Sequence, residues 1–269
     1  MSGSLNKTGG RIVAIVLRQW RLFSGSWPRV VDLAYWPTVQ ILLWGFLQVH
    51  VFREAGPGAV TLSTLLGAIL LWDIAWRGQL SLSLSFFEEI WSRNLGHLLV
   101  SPLRPTELIA GLMVVSVIKT MTAMIPAVAI AALAFDFNLF ALGPALYVFI
   151  LALVLFAWSI SLAAMGLVVR YGQGAQEMPW AIMFGFAPFC AIYYPLDVLP
   201  AIFQRVGSVL PPAYIFEGMR AVVIDGVADM RLVGIALALD VVWLAAGCWA
   251  FFALLGSARR RGMLLQIGE

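Results

Sequence analysis

The chain has 269 residues, 62% of them hydrophobic and only 12% charged, with a mean hydropathy of +0.93. A soluble domain carries about 25% charged residues, so too little polar surface exists to cover a water-facing globule, and the length divides into membrane spans. The net charge of +3 requires no nucleic-acid partner, because basic residues flanking spans face anionic lipid headgroups.

The first segment, "MSGSLNKTGGRIVAIVLRQW", does not read as a signal peptide: its apolar stretch is short and no small-residue cleavage site follows. Within 11–23, Ile12, Val13, Val16, Leu17 and Trp20 fall on one helical face with Arg11 and Arg18 opposite. That pattern predicts a helix lying in the membrane interface. A spanning helix needs about 20 mostly apolar residues. The segments that meet this are 33–52, 60–82 (interrupted by Asp73 and Arg77), 108–135 (with Lys119), 144–169, 178–196 and 232–255 (with Asp240). The expectation is an all-α membrane protein of six spans in one transmembrane domain, with both ends on one side.

Between the second and third spans, Ser85 and Glu88 form a capping-box pattern. From there Phe86, Phe87, Ile90, Trp91, Leu95, Leu98 and Leu99 recur at helical spacing, and Pro102 stops the run. The reading is a short surface helix over 86–100 with Glu88, Glu89, Arg93, Gly96 and His97 on its polar face. Glu89 and Arg93 are spaced as an i,i+4 pair. Such a helix serves either as a plain connector or as a docking handle for a cytosolic subunit. Before the last span, 198–223 is too polar and proline-broken to cross. Pro200 starts one short helix, and Pro211-Pro212 ends it before a second carrying Glu217 and Arg220.

Lys and Arg in short loops orient the chain. Lys7, Arg11, Arg18, Arg21, Arg29, Arg93, Arg104, Arg170, Arg259, Arg260 and Arg261 fall on one side, against Arg53, Arg205, Arg220 and Arg231 on the other. The first side, with both termini and residues 86–100, is therefore the cytoplasmic one.

"FFEEIWSRNLGHLLVSPLRPTELIAG" resembles the segment between spans two and three of type-2 ABC exporter permeases, with Phe87, Glu88, Gly96, Ser101, Pro102, Leu103 and Glu107 in its pattern. "YPLDVLPAIFQRVGSVLPPAYIFEGMRAVV" is similar to that family's proline-punctuated segment before the last span, with Pro195, Leu199, Pro200, Pro211, Glu217 and Arg220 in register. The resemblance covers nearly the whole chain. It implies a permease that pairs with a second copy, most simply as a homodimer in the inner membrane, and docks a cytosolic ABC ATPase subunit. Docking would use 86–100 as the coupling helix together with the N-terminal interfacial helix, hence Glu88, Glu89, Arg93, Gly96, His97, Arg11 and Arg18. It also implies re-entrant helices in 198–223, ATP and Mg held only by the partner, and a cargo drawn from drugs, lipids or lipid-linked polysaccharides. The absence of a G-x-x-x-x-G-K-[ST] phosphate loop agrees with an ATPase on another polypeptide.

Ionisable groups at membrane depth cost several kcal/mol and need partners or a function. Asp73 and Arg77 are placed to pair with each other, and Lys119 to share Asp73 or reach Asp240. These charges either fix the bundle or line the translocation path, for which Asp73, Lys119, Asp240, Pro200, Pro211, Glu217 and Arg220 are the candidates. A membrane enzyme finds little support, with no H-E-x-x-H or G-x-S-x-G and with His50 and His97 on opposite sides. A secondary transporter is the alternative class, weakened by the lack of repeated halves.

Overall fold

A computed structural model of the chain describes residues 2–55, 60–94 and 101–261, and among these every regular element is helical. The α-helices among the described residues are α1 (Ser2–Ser24), α2 (Trp27–Ala55), α3 (Val60–Trp91), α4 (Pro105–Phe135), α5 (Ala145–Tyr171), α6 (Met178–Phe186), α7 (Ala201–Gly207), α8 (Pro211–Asp225) and α9 (Met230–Arg260). Single tighter turns at Leu139–Leu142, Gln173–Ala175, Ala187–Phe189 and Leu196–Val198 fill the connections.

Among the described residues four helices are long and apolar enough to cross a membrane: α2 over Trp27–His50, α4, α5 and α9. Helix α5, whose one charge is Arg170 in its last turn, is the centre of the bundle, contacting α3, α8 and α9. Phe149, Leu153, Phe156 and Leu162 on it are fully enclosed. Small residues set how close α9 comes. A methyl group added at Gly247 would overlap the backbone oxygen of Ser159, and one at Gly166 would lie 3.0 Å from the Phe251 Cα. Along this contact the residue numbers rise together, so α5 and α9 run parallel.

Two expectations fail. The first is a break between a second span and a separate helix starting at Ser85. Instead α3 continues for 32 residues, about 48 Å. The apolar series Leu82, Phe86, Phe87 and Ile90 stays buried, so packing carries the helix past the capping-box residues. The Ser85 hydroxyl accepts a hydrogen bond from Lys119 Nζ at 2.9 Å.

The second is a single helix over 178–196. The apolar stretch Met178–Phe189 reaches only about 18 Å, well short of the ~30 Å hydrocarbon core. Pro188 and a left-handed Ala191 (φ 56°) end it. The return between parallel α5 and α9 is instead shared by α6 and α8. Phe184 of α6 meets Trp76 of α3, while Phe216 of α8 meets Trp72 one turn away. The connecting tip lies deep: Trp243 Nε1 of α9 donates to the Val209 carbonyl at 2.8 Å. Trp243 is about 20 Å along α9 from its first residue.

Candidate functional site

The densest polar assembly lies where α1 meets the adjoining ends of α3 and α4. Helix α1 rests on α4, with Ile15 directly over Gly111, where an added methyl would come within 2.9 Å. Gln19 and Phe23 are buried, whereas Val13, Leu17 and Trp20 are exposed. The buried face is thus rotated from the expected apolar stripe. Arg11 and Arg18, expected opposite that stripe, turn toward the bundle instead. Arg11 Nη1 donates to both Glu107 oxygens at 3.2 Å, and Arg18 Nη2 to Glu89 Oε2 at 2.9 Å. Glu107 also accepts from the Arg104 N–H at 2.9 Å, closing the start of α4.

Glu89 is the hub. Beyond Arg18 it accepts from Gln19 Nε2 at 2.8 Å and Asn94 Nδ2 at 2.7 Å, and it is only 2% exposed. This corrects its expected place on an open polar face and its expected i,i+4 pair with Arg93. The physical cause is the end of α3. Arg93 takes a left-handed conformation (φ 54°), its N–H bonds to the Ile90 carbonyl, and the Asn94 N–H bonds to the Glu89 carbonyl. That is a Schellman stop, and it breaks the helical register between Glu89 and Arg93. Glu88 is partly exposed and meets Arg29 of α2 at 3.4 Å. Trp91 remains 48% exposed, and its indole N–H donates to Gln176 at 3.3 Å. Gly96 and His97 lie outside the described residues.

Of the charges deeper in the bundle, Asp73 and Arg77 pair with each other as their spacing allowed, whereas Lys119 finds neither expected aspartate. Asp73 and Arg77 are both buried and approach to 3.8 Å, with no hydrogen bond at Arg77 Nε among the described residues. Lys119 reaches neither Asp73 nor Asp240; it meets Ser85 and lies 5.8 Å from the Phe23 ring centre. Asp240 is fully buried on α9, and neither carboxylate oxygen has a hydrogen-bond partner among the described residues.

At the break between α6 and α8, Pro200 precedes α7 and Pro211 opens α8. Arg220 is buried and donates to the Ala191 carbonyl at 2.7 Å, the Tyr194 carbonyl at 3.3 Å and Glu217 Oε1 at 3.1 Å. Glu217 Oε1 also accepts from the Leu196 N–H at 2.8 Å. Glu217 and Arg220 therefore tie α8 to the turn after α6, which is a fastening role. The sequence reading named neither Gln19 nor Asn94 for the site, and counted Arg29 only as a loop charge that orients the chain. Gln19 alone carried a signal, as a polar residue spaced between Ile15 and Phe23 on what becomes the buried face.

Long apolar helices carrying few charges, with a polar clasp at one end, mark a multi-pass membrane protein. Residues 11–224 match the profile described as ABC-2 type transporter. The chain belongs to that family and is a permease component of an ABC transporter. Such membrane domains are generally not themselves catalytic and in general work with an ATPase partner. No curated protein matches the chain.

Proposed function

We propose that this permease is half of an outward-moving pump in the inner membrane, with both termini cytoplasmic, driven by ATP and Mg bound in a separate cytosolic subunit. Family membership over 11–224 carries the reading. The clasp at the α1 end supports it. A docked subunit pressing on the stretch after Trp91 would act on a rigid unit, because Glu89 and Glu107 bind α1 to α3 and α4. Trp91, Arg93, Gly96 and His97 form the docking face in this proposal. Glu88, Glu89, Arg11 and Arg18 hold that face in position.

Movement of α3 and α4 would be felt at the deep break, since α3 touches both α6 and α8. Asp73, Lys119 and Asp240 are assigned to the path, and Pro200, Pro211, Glu217 and Arg220 to its outer closure. A second copy of the chain completes the path. Helix α2, of whose spanning window only 17% is buried, offers the most open face to it.

The test is reconstitution with an ABC ATPase. Trp91→Ala combined with Arg93→Ala should leave the permease inserted while cutting ATP-driven transport by tenfold or more, an effect of about 1.4 kcal/mol or more on coupling. Unchanged transport and unchanged ATPase stimulation would remove the docking assignment.

A further inference from the structure

A slot of about 190 Å³ opens between α1, α2, α3, α4 and α6. On α3 its wall is the stripe Arg77, Leu80, Ser81, Leu84 and Glu88. These positions share one helical face, and from Arg77 to Glu88 they cover about 16 Å of depth. Leu33, Leu80, Leu84 and Trp36 give the slot apolar wall beside its charged groups. Its titratable lining consists of Arg29, Asp32, Arg77, Glu88 and Lys119.

The partners of those groups are unequal. Arg29 and Glu88 neutralise each other at 3.4 Å. Arg77 has Asp73 behind it at 3.8 Å. Asp32 is exposed on α2 and acts electrostatically on Arg77. Lys119 is half-buried, donates to the neutral Ser85 hydroxyl and lies 5.8 Å from the Phe23 ring centre. Glu88 attracts it and Arg29 repels it from a distance, but no carboxylate is within salt-bridge reach among the described residues. A partly enclosed ammonium carrying one neutral hydrogen bond has donors left over, since a lysine has three. Trp36 and Trp180 add aromatic wall to the same slot.

We infer that this slot binds the negatively charged end of an amphiphile, its phosphate or carboxylate on Lys119 and its first apolar segment along Leu84, Leu80 and Trp36. The volume suits a headgroup and a few carbons, so the remaining chain stays in the bilayer. This rests on the permease reading and gives its path a ligand chemistry. The charged group can come from a bilayer phospholipid or from a free single-chain amphiphile, and the experiment separates the two.

The full chain is placed in nanodiscs of neutral phosphatidylcholine without nucleotide or ATPase, and binding of radiolabelled oleoyl lysophosphatidate is measured. Saturable binding is expected, weakened about tenfold or more in Lys119→Gln by loss of a charge-assisted bond and kept within about threefold in Lys119→Arg. Leu84→Trp, which fills the slot and leaves every charge in place, should also abolish binding and covers the case in which Lys119→Gln does not fold. Competition by phosphatidylglycerol added to the nanodisc identifies a bilayer headgroup as the occupant; its absence identifies the free amphiphile. Equal binding of oleylamine or of uncharged monooleoylglycerol overturns the inference. So does lysophosphatidate binding that survives both Leu84→Trp and Lys119→Gln. Because the assay contains no ATPase, its failure leaves the docking proposal standing. A failed docking test would likewise leave this binding result intact.

Discussion

Arg18 on α1 and Glu89 on α3, seventy-one positions apart, meet at 2.9 Å, and Glu89 is buried while Arg18 stays partly exposed. The pair is one-sided in its energetics. Arg18 keeps contact with water, whereas Glu89 depends on the donors Arg18, Gln19 and Asn94. Glu89→Ala should therefore cost about 3 kcal/mol, in the range for removing one partner of a buried charged assembly. Arg18→Ala should cost about 1 kcal/mol, because an exposed partner contributes less. Thermal unfolding of the two variants in detergent checks the order. Equal losses would contradict the one-sided account.

Gly247 fixes the approach of α9 to α5, because a side chain there meets the Ser159 backbone rather than a yielding side-chain tip. Gly247→Ala is expected to destabilise by about 1–3 kcal/mol, the usual cost of overpacking. Gly234→Ala is the control: it lies on the same helix with nothing within 4 Å of an added methyl. It should be neutral or gain up to about 1 kcal/mol from helix propensity. Urea unfolding in mixed micelles measures both.

Arg220 spans three acceptors in two directions, the Ala191 and Tyr194 carbonyls and the Glu217 carboxylate. A lysine cannot reproduce that planar fork. Arg220→Lys should therefore lose most of the roughly 3–5 kcal/mol expected for Arg220→Ala, the range for removing one partner of a buried charged assembly. Cysteines introduced at Tyr194 should react faster with maleimide in both variants, reporting the loosened turn. No change in rate would show that the turn is held by packing alone.

Asp240 carries the opposite expectation. Its two oxygens have no hydrogen-bond partner among the described residues, and its side chain is fully enclosed. Replacing it with leucine removes an unsatisfied polar group, worth about 1–3 kcal/mol. Asp240→Leu should raise the thermal midpoint and, if the residue lies on the path as proposed, lower transport in the same preparation. A stabilised variant with full transport would assign Asp240 no part in translocation.

Much of the fold was legible because membrane insertion leaves a simple record. Apolar runs of sufficient length with few charges appear, among the described residues, as α2, α4, α5 and α9, since hydrocarbon demands an internally satisfied backbone over a set length. Proline punctuation was legible for a similar local reason. Pro105 and Pro211 each occupy the first turn of a helix, where the missing N–H costs nothing.

The candidate site was only half legible. Glu88, Glu89, Arg11 and Arg18 stood out as charges, but their charged partners lie 59 to 96 positions away, in Arg29–Glu88, Arg18–Glu89 and Arg11–Glu107. No local periodicity encodes such a distance. The capping-box reading at Ser85 failed for the same reason. Buried Phe86, Phe87 and Ile90 gain more from continued helical packing than Ser85 and Glu88 offer by starting a new helix.

By itself the sequence determined the class, the all-helical build and the placement of charge, because hydropathy and helix punctuation act over a few residues at a time. Tertiary structure alone decided that α3 runs unbroken to Trp91 and that the return after α5 is split between α6 and α8. It also decided that Glu89 faces inward and that Lys119 faces a slot rather than a carboxylate. Each of those outcomes depends on which helices come within side-chain reach. Small residues at the contacts set that reach: Gly111 beneath Ile15, and Gly247 against Ser159.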